Sequence, residues 1–260
     1  MWQVADRRLA CEYLLCLLKV TYENRPPADG TFPNLPPATR HPPLPMPIRY
    51  LLFDLDDTLY QRSAGVMAQI GRQIRHYIVE TLGLAMDEAD TLARRYHHDY
   101  GTSLQGLLAN HQIDADKYLA FVHNFSLDML APNPALDDLL ASLPVEKVIF
   151  TNADRAHAER VLQRLGIRRH FSQIIDVVAV DYVSKPNLPA YTGCLRLLNA
   201  SADECVMIED SGRNLQPAAA LGMVTVLVDG APDDRADYHI DTILELGPVI
   251  DAICADGACG

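Results

Sequence analysis

The chain has 260 residues, of which 49% are hydrophobic and 22% are charged, and its formal net charge is −12. This length allows one large domain or two smaller ones with a substantial core. The negative charge disfavours binding to polymeric nucleic acid, and no apolar run reaches the ~18 residues that predict a transmembrane helix. A small anionic substrate stays compatible with this charge, because a bound metal cation can reverse the field locally.

The first 47 residues differ from the rest of the chain in composition. Nine of the 17 prolines lie between positions 26 and 47. Because proline lacks an amide donor and resists regular structure, we predict that residues 1–47 form a disordered, proline-rich extension. A proline-rich ligand for a partner domain is the alternative reading of such a segment. Met46 is a candidate for the natural start of the chain.

An apolar run at residues 48–53 leads directly into a cluster of acids. The run has no helical periodicity, which predicts a strand buried on both faces. Asp54 and Asp56 follow it and, two residues apart on an extended backbone, point to the same side. Their charges repel each other, so a divalent cation between them would stabilise the pair and create a site for phosphate oxygens. The alternative is a turn whose acids cap a helix.

Residues 62–141 show helical patterning. Val66, Ile70 and Ile74 recur at helical spacing, and a later stripe begins with Tyr96 and Tyr100 and continues through Leu104, Leu107 and Leu108. These stripes predict the core of a helical bundle.

Two further apolar strands are predicted at residues 145–150 and 205–208, and polar residues follow both. Thr151 and Asn152 come after the first of them and are also typical of the N-cap of a helix, here predicted at 154–165. Glu209 and Asp210 come after the second. Between the two strands lies Lys185, whose ammonium group would neutralise negative charge if it lay near a phosphate.

The six cysteines contain no C-x-x-C pair, and a chain of this length builds a core without disulfides. We therefore expect reduced thiols, as in a cytoplasmic protein. A zinc site formed by the two C-x₄-C pairs is the alternative. These pairs are Cys11 with Cys16 and Cys254 with Cys259.

The order of these motifs resembles that of the haloacid dehalogenase-like superfamily of aspartate-nucleophile phosphatases. Asp54, Asp56 and Thr58 match its first motif, D-x-D-x-T. The later motifs are matched by Thr151, by Lys185 and by the pair Glu209-Asp210. The resemblance implies an α/β fold with a doubly wound, Rossmann-like parallel sheet at residues 48–61 and 142–260. It also implies a helical cap inserted at residues 62–141.

The resemblance also assigns roles to the matching residues. Asp54 is implied to be the nucleophile and Asp56 the general acid and base. Mg²⁺ is implied to bind at Asp54, Asp56, Asp210 and Glu209, with direct coordination by Glu209 left open.

Further residues match positions that bind the phosphoryl group or support the site. Thr151, Asn152 and Lys185 are implied to contact the phosphoryl oxygens. Thr58 and Asn214 are implied to support the surrounding loops.

Within the superfamily, the chain resembles the pyrimidine 5′-nucleotidase branch through residues 58–60 and the cap segment 99–107. This implies hydrolysis of UMP or CMP, with Tyr60, Tyr100 and Gly101 contacting the nucleoside. Asp56 argues for phosphate-ester hydrolysis, because the dehalogenases lack an acid at that position. A phosphoglycolate or sugar-phosphate phosphatase, a phosphomutase and a catalytically silent binding protein remain alternatives. We expect a cytoplasmic protein with a small phosphorylated substrate and no membrane or nucleic-acid partner.

Overall fold

A computed structural model describes residues 47–229, 236–255 and 259. The strands are β1 (Tyr50–Phe53), β2 (Glu146–Phe150), β3 (Phe171–Ile175), β4 (Cys205–Glu209), β5 (Val224–Val228) and β6 (Tyr238–Ile240). The α-helices are α1 (Val66–Leu82), α2 (Met86–Tyr100), α3 (Ser103–Asn110), α4 (Ala115–Val122), α5 (Pro134–Ser142), α6 (Arg155–Leu165), α7 (Leu188–Leu198), α8 (Gly212–Leu221) and α9 (Leu246–Cys254).

The six strands form one parallel sheet in the order β3-β2-β1-β4-β5-β6. The chain builds outward from β1 to β3 and then crosses back to β4 on the other side of β1. In sheets of this kind, ligands bind beyond the carboxyl ends of the strands where the order reverses. The predicted doubly wound parallel α/β fold is confirmed.

Strand β1 is buried on both faces, which explains its unbroken apolar sequence. Leu51 and Phe53 pack into one hydrophobic cluster, whereas Tyr50 and Leu52 pack into another on the opposite face. Helices α5, α6 and α9 contribute to the first cluster, and α7 and α8 contribute to the second. Alternate residues of a strand point to opposite faces, so a strand covered on both sides needs apolar residues throughout.

Helices α1 to α4 lie between β1 and β2 in the chain and form the inserted helical cap. They share a hydrophobic cluster that contains Tyr77, Tyr96 and Leu107. Val66 and Ile70, at the start of α1, pack instead against the sheet cluster, so this helix extends from the sheet into the cap. Leu108, at the end of the predicted stripe, is exposed.

The segment after the cap returns to the sheet before β2 begins. The leucines of this segment belong to the sheet cluster, namely Leu127, Leu130, Leu136, Leu140 and Leu143. This packing favours a cap that ends close to His123, and the bounds 62–141 stay a prediction. The extension predicted at residues 1–47 lies outside the described residues, apart from Pro47.

The cysteines differ in part from the expectation of reduced thiols. Cys254 and Cys259 form a disulfide, so the expectation is wrong for this pair. Their Cα atoms are 5.1 Å apart, which is within disulfide reach. Cys259 is held near this position because its backbone forms a parallel β-bridge with Ile48. Cys194 and Cys205 are free and buried. Cys11 and Cys16 lie outside the described residues. In the part of the chain described, none of the helices could span a membrane.

Candidate active site

Three neighbouring strands bring the predicted site residues to one edge of the sheet. Asp54 follows β1, Thr151 follows β2, and Glu209 is the last residue of β4. The backbone N–H of Asp54 donates to the carbonyl of Ile208 at 2.9 Å, which continues the pairing of β1 with β4 past the end of β1. Because β1 lies between β2 and β4, the side chains that follow these strands converge.

Lys185 lies at the centre of this edge and is 1% exposed. Its Nζ donates to Asp54 Oδ1 at 2.7 Å, to Glu209 Oε2 at 2.7 Å and to the carbonyl of Phe150 at 2.8 Å. Burial alone would lower the pKa of this ammonium group, but the two carboxylates raise it above its ordinary value. Lys185 therefore stays charged and joins the acids of β1 and β4.

Asn152 holds the backbone of Lys185 through both ends of its amide. Asn152 Nδ2 donates to the Lys185 carbonyl at 3.0 Å, and the Lys185 N–H donates to Asn152 Oδ1 at 2.7 Å. These bonds use Oδ1 and one of the two amide hydrogens, and the contact of Asn152 with phosphate stays a prediction. Thr151 is buried, and its Oγ1 accepts from the N–H of Ala153 at 3.0 Å. The N-cap of α6 is Asp154, so the alternative N-cap role of Thr151 and Asn152 is wrong.

Asp54, Glu209 and Asp210 form an acidic cluster in which one oxygen from each carboxylate lies within 4.8 Å of the others. Burial is the main cause that raises the pKa of both Asp54 and Glu209 to about 7 and that of Asp210 to about 6. Like charges add to the effect, from Glu209 on Asp54 and from Asp54 on Asp210. Buried oxygen ligands whose charges repel one another match the preference of a hard divalent cation. These three residues could hold such an ion.

Arg62 partly balances this cluster from the mouth of the site. Its Nη2 donates to Asp210 Oδ2 at 2.6 Å, and its side chain is largely exposed. The sequence prediction did not include Arg62.

Asp56 accepts two hydrogen bonds on the same oxygen. Tyr60 Oη donates to Asp56 Oδ1 at 2.5 Å, and His157 Nε2 lies 3.0 Å from that atom. Burial would raise the pKa of Asp56, but His157 and Tyr60 hold it below its usual value. The sequence prediction missed His157, which is 101 residues away on helix α6. An isolated histidine on a helix gave no local sign of this contact.

Thr58 and Asn214 are implied to support the loops of the site, and this role stays a prediction. Thr58 is buried and its Oγ1 donates to Asp54 Oδ2 at 3.2 Å. Asn214 lies in the first turn of α8, where its carbonyl accepts from the hydroxyl of buried Tyr191.

The residues predicted to contact a nucleoside occupy different surroundings. The hydroxyl of Tyr60 is engaged by Asp56. Tyr100 packs edge-on against Tyr96, and its hydroxyl accepts from Asn110 Nδ2 at 3.0 Å. Their contact with a substrate stays a prediction.

Gly101 lies where the cap meets the Lys185 loop. It has a φ of +88°, and a Cβ at this position would lie 2.6 Å from Pro186 Cδ. The next residue, Thr102, places Oγ1 3.1 Å from Ser184 Oγ. Gly101 therefore brings the cap directly onto the loop that carries Lys185, and its predicted contact with substrate also stays a prediction.

Comparison with known proteins agrees with this arrangement. A family model for haloacid dehalogenase-like hydrolases matches residues 48–222. Phosphate metabolism protein 8 of Saccharomyces cerevisiae is 31% identical over 204 residues, which cover 71% of this chain but only 63% of the yeast protein. A glyceraldehyde 3-phosphate phosphatase of Methanocaldococcus jannaschii is 26% identical over 223 residues, which cover 78% of this chain and 97% of that relative.

A solved structure shows the same fold. The HAD phosphatase from Thermococcus onnurineus superimposes with a TM-score of 0.53 and 20% identity, over 78% of this chain and 98% of that one. The strand order, the convergence of the acids on Lys185 and the family match all lead to one conclusion. The chain belongs to the haloacid dehalogenase-like hydrolase family.

Proposed function

We propose that this protein is a Mg²⁺-dependent phosphomonoester hydrolase that acts through an aspartyl-phosphate on Asp54. The observation that carries the proposal is the contact of buried Lys185 with Asp54 and Glu209, next to Asp56. This arrangement offers a carboxylate nucleophile, a cation for the phosphoryl group and a second carboxyl group for proton transfer.

In the first step, a carboxylate oxygen of Asp54 attacks phosphorus. The new bond joins Asp54 to phosphorus, the bond from phosphorus to the ester oxygen breaks, and Asp56 gives its proton to the departing oxygen. Lys185 neutralises charge on the transferring group, and Thr151 and the backbone of Asn152 bind its oxygens. Negative charge on the bound phosphate raises the pKa of Asp56 and so favours the protonated form that this step needs.

In the second step, Asp56 acts as a base. Its carboxylate takes a proton from water, and the water oxygen bonds to phosphorus as the bond to Asp54 breaks. The products are inorganic phosphate and free Asp54. The cap, which packs on the Lys185 loop at Gly101, would exclude bulk water while the intermediate exists.

The acidic cluster fits a magnesium ion. Asp54, Asp210 and the backbone carbonyl of Asp56 would hold it, and Glu209 lies beside them. When bound, the ion supplies positive charge that offsets repulsion between the carboxylates and the phosphate oxygens. Glu209 is also held by Lys185 Nζ and by the N–H of Ser211 at 3.3 Å, which favours a role in orienting the ligands over direct coordination.

The proposed substrate is a pyrimidine nucleoside 5′-monophosphate. Residues 58–60 and the cap segment 99–107 support this choice through their resemblance to the pyrimidine 5′-nucleotidase branch, and the cap segment lies against the Lys185 loop. A sugar phosphate is the second candidate, because a relative that spans most of this chain is named a glyceraldehyde 3-phosphate phosphatase.

The test is phosphate release with Mg²⁺ from UMP, CMP, purine monophosphates, phosphoglycolate and hexose phosphates. Asp54→Asn serves as the blank, and we expect it to lower turnover by about four orders of magnitude. Preference for UMP and CMP would support the nucleotidase assignment. Activity restricted to a non-nucleotide ester would keep the mechanism and replace the substrate. Failure to release phosphate from any ester would contradict the hydrolase proposal.

A further inference from the structure

The two oxygens of Asp56 have different surroundings. Oδ1 accepts from Tyr60 Oη at 2.5 Å and lies 3.0 Å from His157 Nε2. An oxygen that accepts two hydrogen bonds is a poor position for a proton, because that proton would lie against the hydrogens of both donors. The proton that Asp56 exchanges with a substrate therefore belongs on Oδ2.

We propose that His157 is a positioning residue for Asp56, which holds the carboxyl group by Oδ1 so that Oδ2 faces the ester oxygen and, later, the attacking water. This inference rests on the proposed function, because it concerns the acid and base of that reaction. Correct orientation matters here because proton transfer in the transition state requires a hydrogen bond of well-defined length and direction.

The His157 ring is held firmly by its neighbours. The residue is fully buried, and its ring stacks on His123 with centroids 4.3 Å apart and planes inclined by 22°. His123 Nδ1 lies 2.6 Å from Asp154 Oδ2, while Asp154 Oδ1 accepts from the backbone N–H of His157 at 2.8 Å. Asp154 thus anchors both His123 and the first turn of α6, and a ring fixed in this way can orient Asp56.

The contacts also define the hydrogen on the ring. Because Oδ1 is an acceptor, the ring nitrogen that faces it, Nε2, carries a hydrogen. Within the described residues, His157 Nδ1 is buried and has no hydrogen-bond partner. Among the described residues, the hydrogen-bond contact of the ring is therefore the one with Asp56.

The stack connects this group with the cap. His123 follows directly after α4, and its carbonyl accepts from Arg160 Nη1 at 2.8 Å. This hydrogen bond joins the segment that leaves the cap to α6, the helix that carries His157. The orientation of Asp56 is set at the junction of cap and sheet.

The experiment uses the sensitivity of a general acid to the leaving group. An alkyl phosphate needs a proton on its departing oxygen, whereas p-nitrophenolate is a weak base and leaves without one. We would measure kcat/KM for the best alkyl phosphate of the panel and for p-nitrophenyl phosphate. This constant reports the steps through formation of the aspartyl-phosphate and excludes its hydrolysis.

The informative variants are His157→Leu, His157→Gln and His157→Asn. We expect His157→Leu to lower kcat/KM on the order of 100-fold for the alkyl ester and by less than about 5-fold for p-nitrophenyl phosphate. Gln can place its amide nitrogen where Nε2 lies, so His157→Gln should recover most of the loss. Asn places its amide nearer the Nδ1 position, so His157→Asn should behave like His157→Leu.

The matched control is His170→Leu. His170 Nε2 lies 2.6 Å from Asp137 Oδ1, and the residue precedes β3 at the opposite edge of the sheet. This control loses a histidine–aspartate contact of the same kind and should affect both esters alike. If the His157 variants lose kcat/KM equally on both esters, the inference about His157 is overturned and the proposed function still stands. Absence of phosphate release by the unsubstituted protein would overturn the proposed function as well.

Discussion

At the scale of single residues, the site depends on one buried cation. Lys185 is almost fully buried and lies between Asp54 and Glu209, both at 2.7 Å from Nζ. Two carboxylates in such a place are stable only if an opposite charge compensates for their lost hydration. Lys185 therefore neutralises buried charge in the folded state, in addition to its role in the proposed chemistry.

Replacing Lys185 tests this double role. At pH 8, where Asp54 and Glu209 are ionised, we expect Lys185→Met to lower the free energy of unfolding by about 3–5 kcal/mol, because it leaves two buried carboxylates without their partner. It should also abolish phosphate release. Urea-induced unfolding measures the first effect and the substrate panel measures the second.

Lys147 provides the matched control. It is also buried, but its Nζ donates at 2.8 Å to the carbonyls of Leu143 and Val145 and its removal leaves no charge uncompensated. Lys147→Met should cost about 1 kcal/mol. Similar costs for the two variants would mean that Lys185 does not compensate the carboxylates.

At the scale of elements, the site is completed where the cap meets the sheet. Helix α2 ends at Tyr100, and Gly101 turns the chain toward α3 while its backbone lies against Pro186. A second contact joins α8 to the end of α2, since Arg213 donates to the carbonyls of His97 at 3.1 Å and His98 at 2.9 Å. The turn after α2 therefore determines how closely the cap approaches Lys185.

Gly101→Ala should displace this turn. Its Cβ would lie 2.6 Å from Pro186 Cδ, so the cap and the Lys185 loop must separate, and the positive φ adds backbone strain. We expect kcat/KM for phosphate release to fall at least about 10-fold. Steady-state kinetics and thermal unfolding measure the two effects.

Gly83→Ala isolates the cost of the backbone. Gly83 also has a positive φ, of +69°, but a Cβ there would meet nothing within 4 Å. Gly83 is in the left-handed αL region, so Gly83→Ala should lose about 1–2 kcal/mol of stability and keep its activity. Equal activity in the Gly101 and Gly83 variants would show that the contact with Pro186 does not affect catalysis.

At the scale of the whole molecule, a strongly acidic chain concentrates several of its carboxylates at one edge of the sheet. The net charge is −12, and the pKa values of Asp54 and Glu209 are raised to about 7, chiefly by burial. The unfolded chain releases these protons near pH 4, whereas the folded chain retains them up to about pH 7. This difference stabilises the fold at low pH and is lost as the pH rises through 7.

A bound metal ion should counteract this loss of stability at high pH. We expect the Tm of the metal-free protein to fall between pH 5 and pH 8, and Mg²⁺ to raise the Tm more at pH 8 than at pH 6, because protons compete with the ion for the carboxylates. A difference of about 1 kcal/mol corresponds to about 2–4 °C in a chain of this size. Thermal unfolding with Mg²⁺ or with a chelator measures this. Asp210→Asn should reduce the effect, and a Mg²⁺ shift that is the same at both pH values would contradict it.

The strand patterns and the resemblance to the haloacid dehalogenase-like superfamily were together sufficient for the class of fold and for naming Asp54, Lys185 and Asp210 as site candidates. The run at residues 48–53 predicts a strand buried on both faces, and this strand is β1. Polar residues directly after apolar strands predict that Asp54, Thr151 and Asp210 meet at one edge of the sheet. Such predictions work because strand periodicity and the common direction of parallel strands are properties of the backbone, which short sequence patterns reveal.

Only the tertiary structure decided which side chains contact one another there. His157 reaches Asp56 across 101 residues, and Tyr60 contacts the same oxygen from four residues away. The disulfide of Cys254 with Cys259 likewise depends on where the end of the chain returns to Ile48. These contacts depend on how α6 and the terminal segment lie on the sheet. That placement arises from packing over the whole core, and no local pattern in the sequence predicts it.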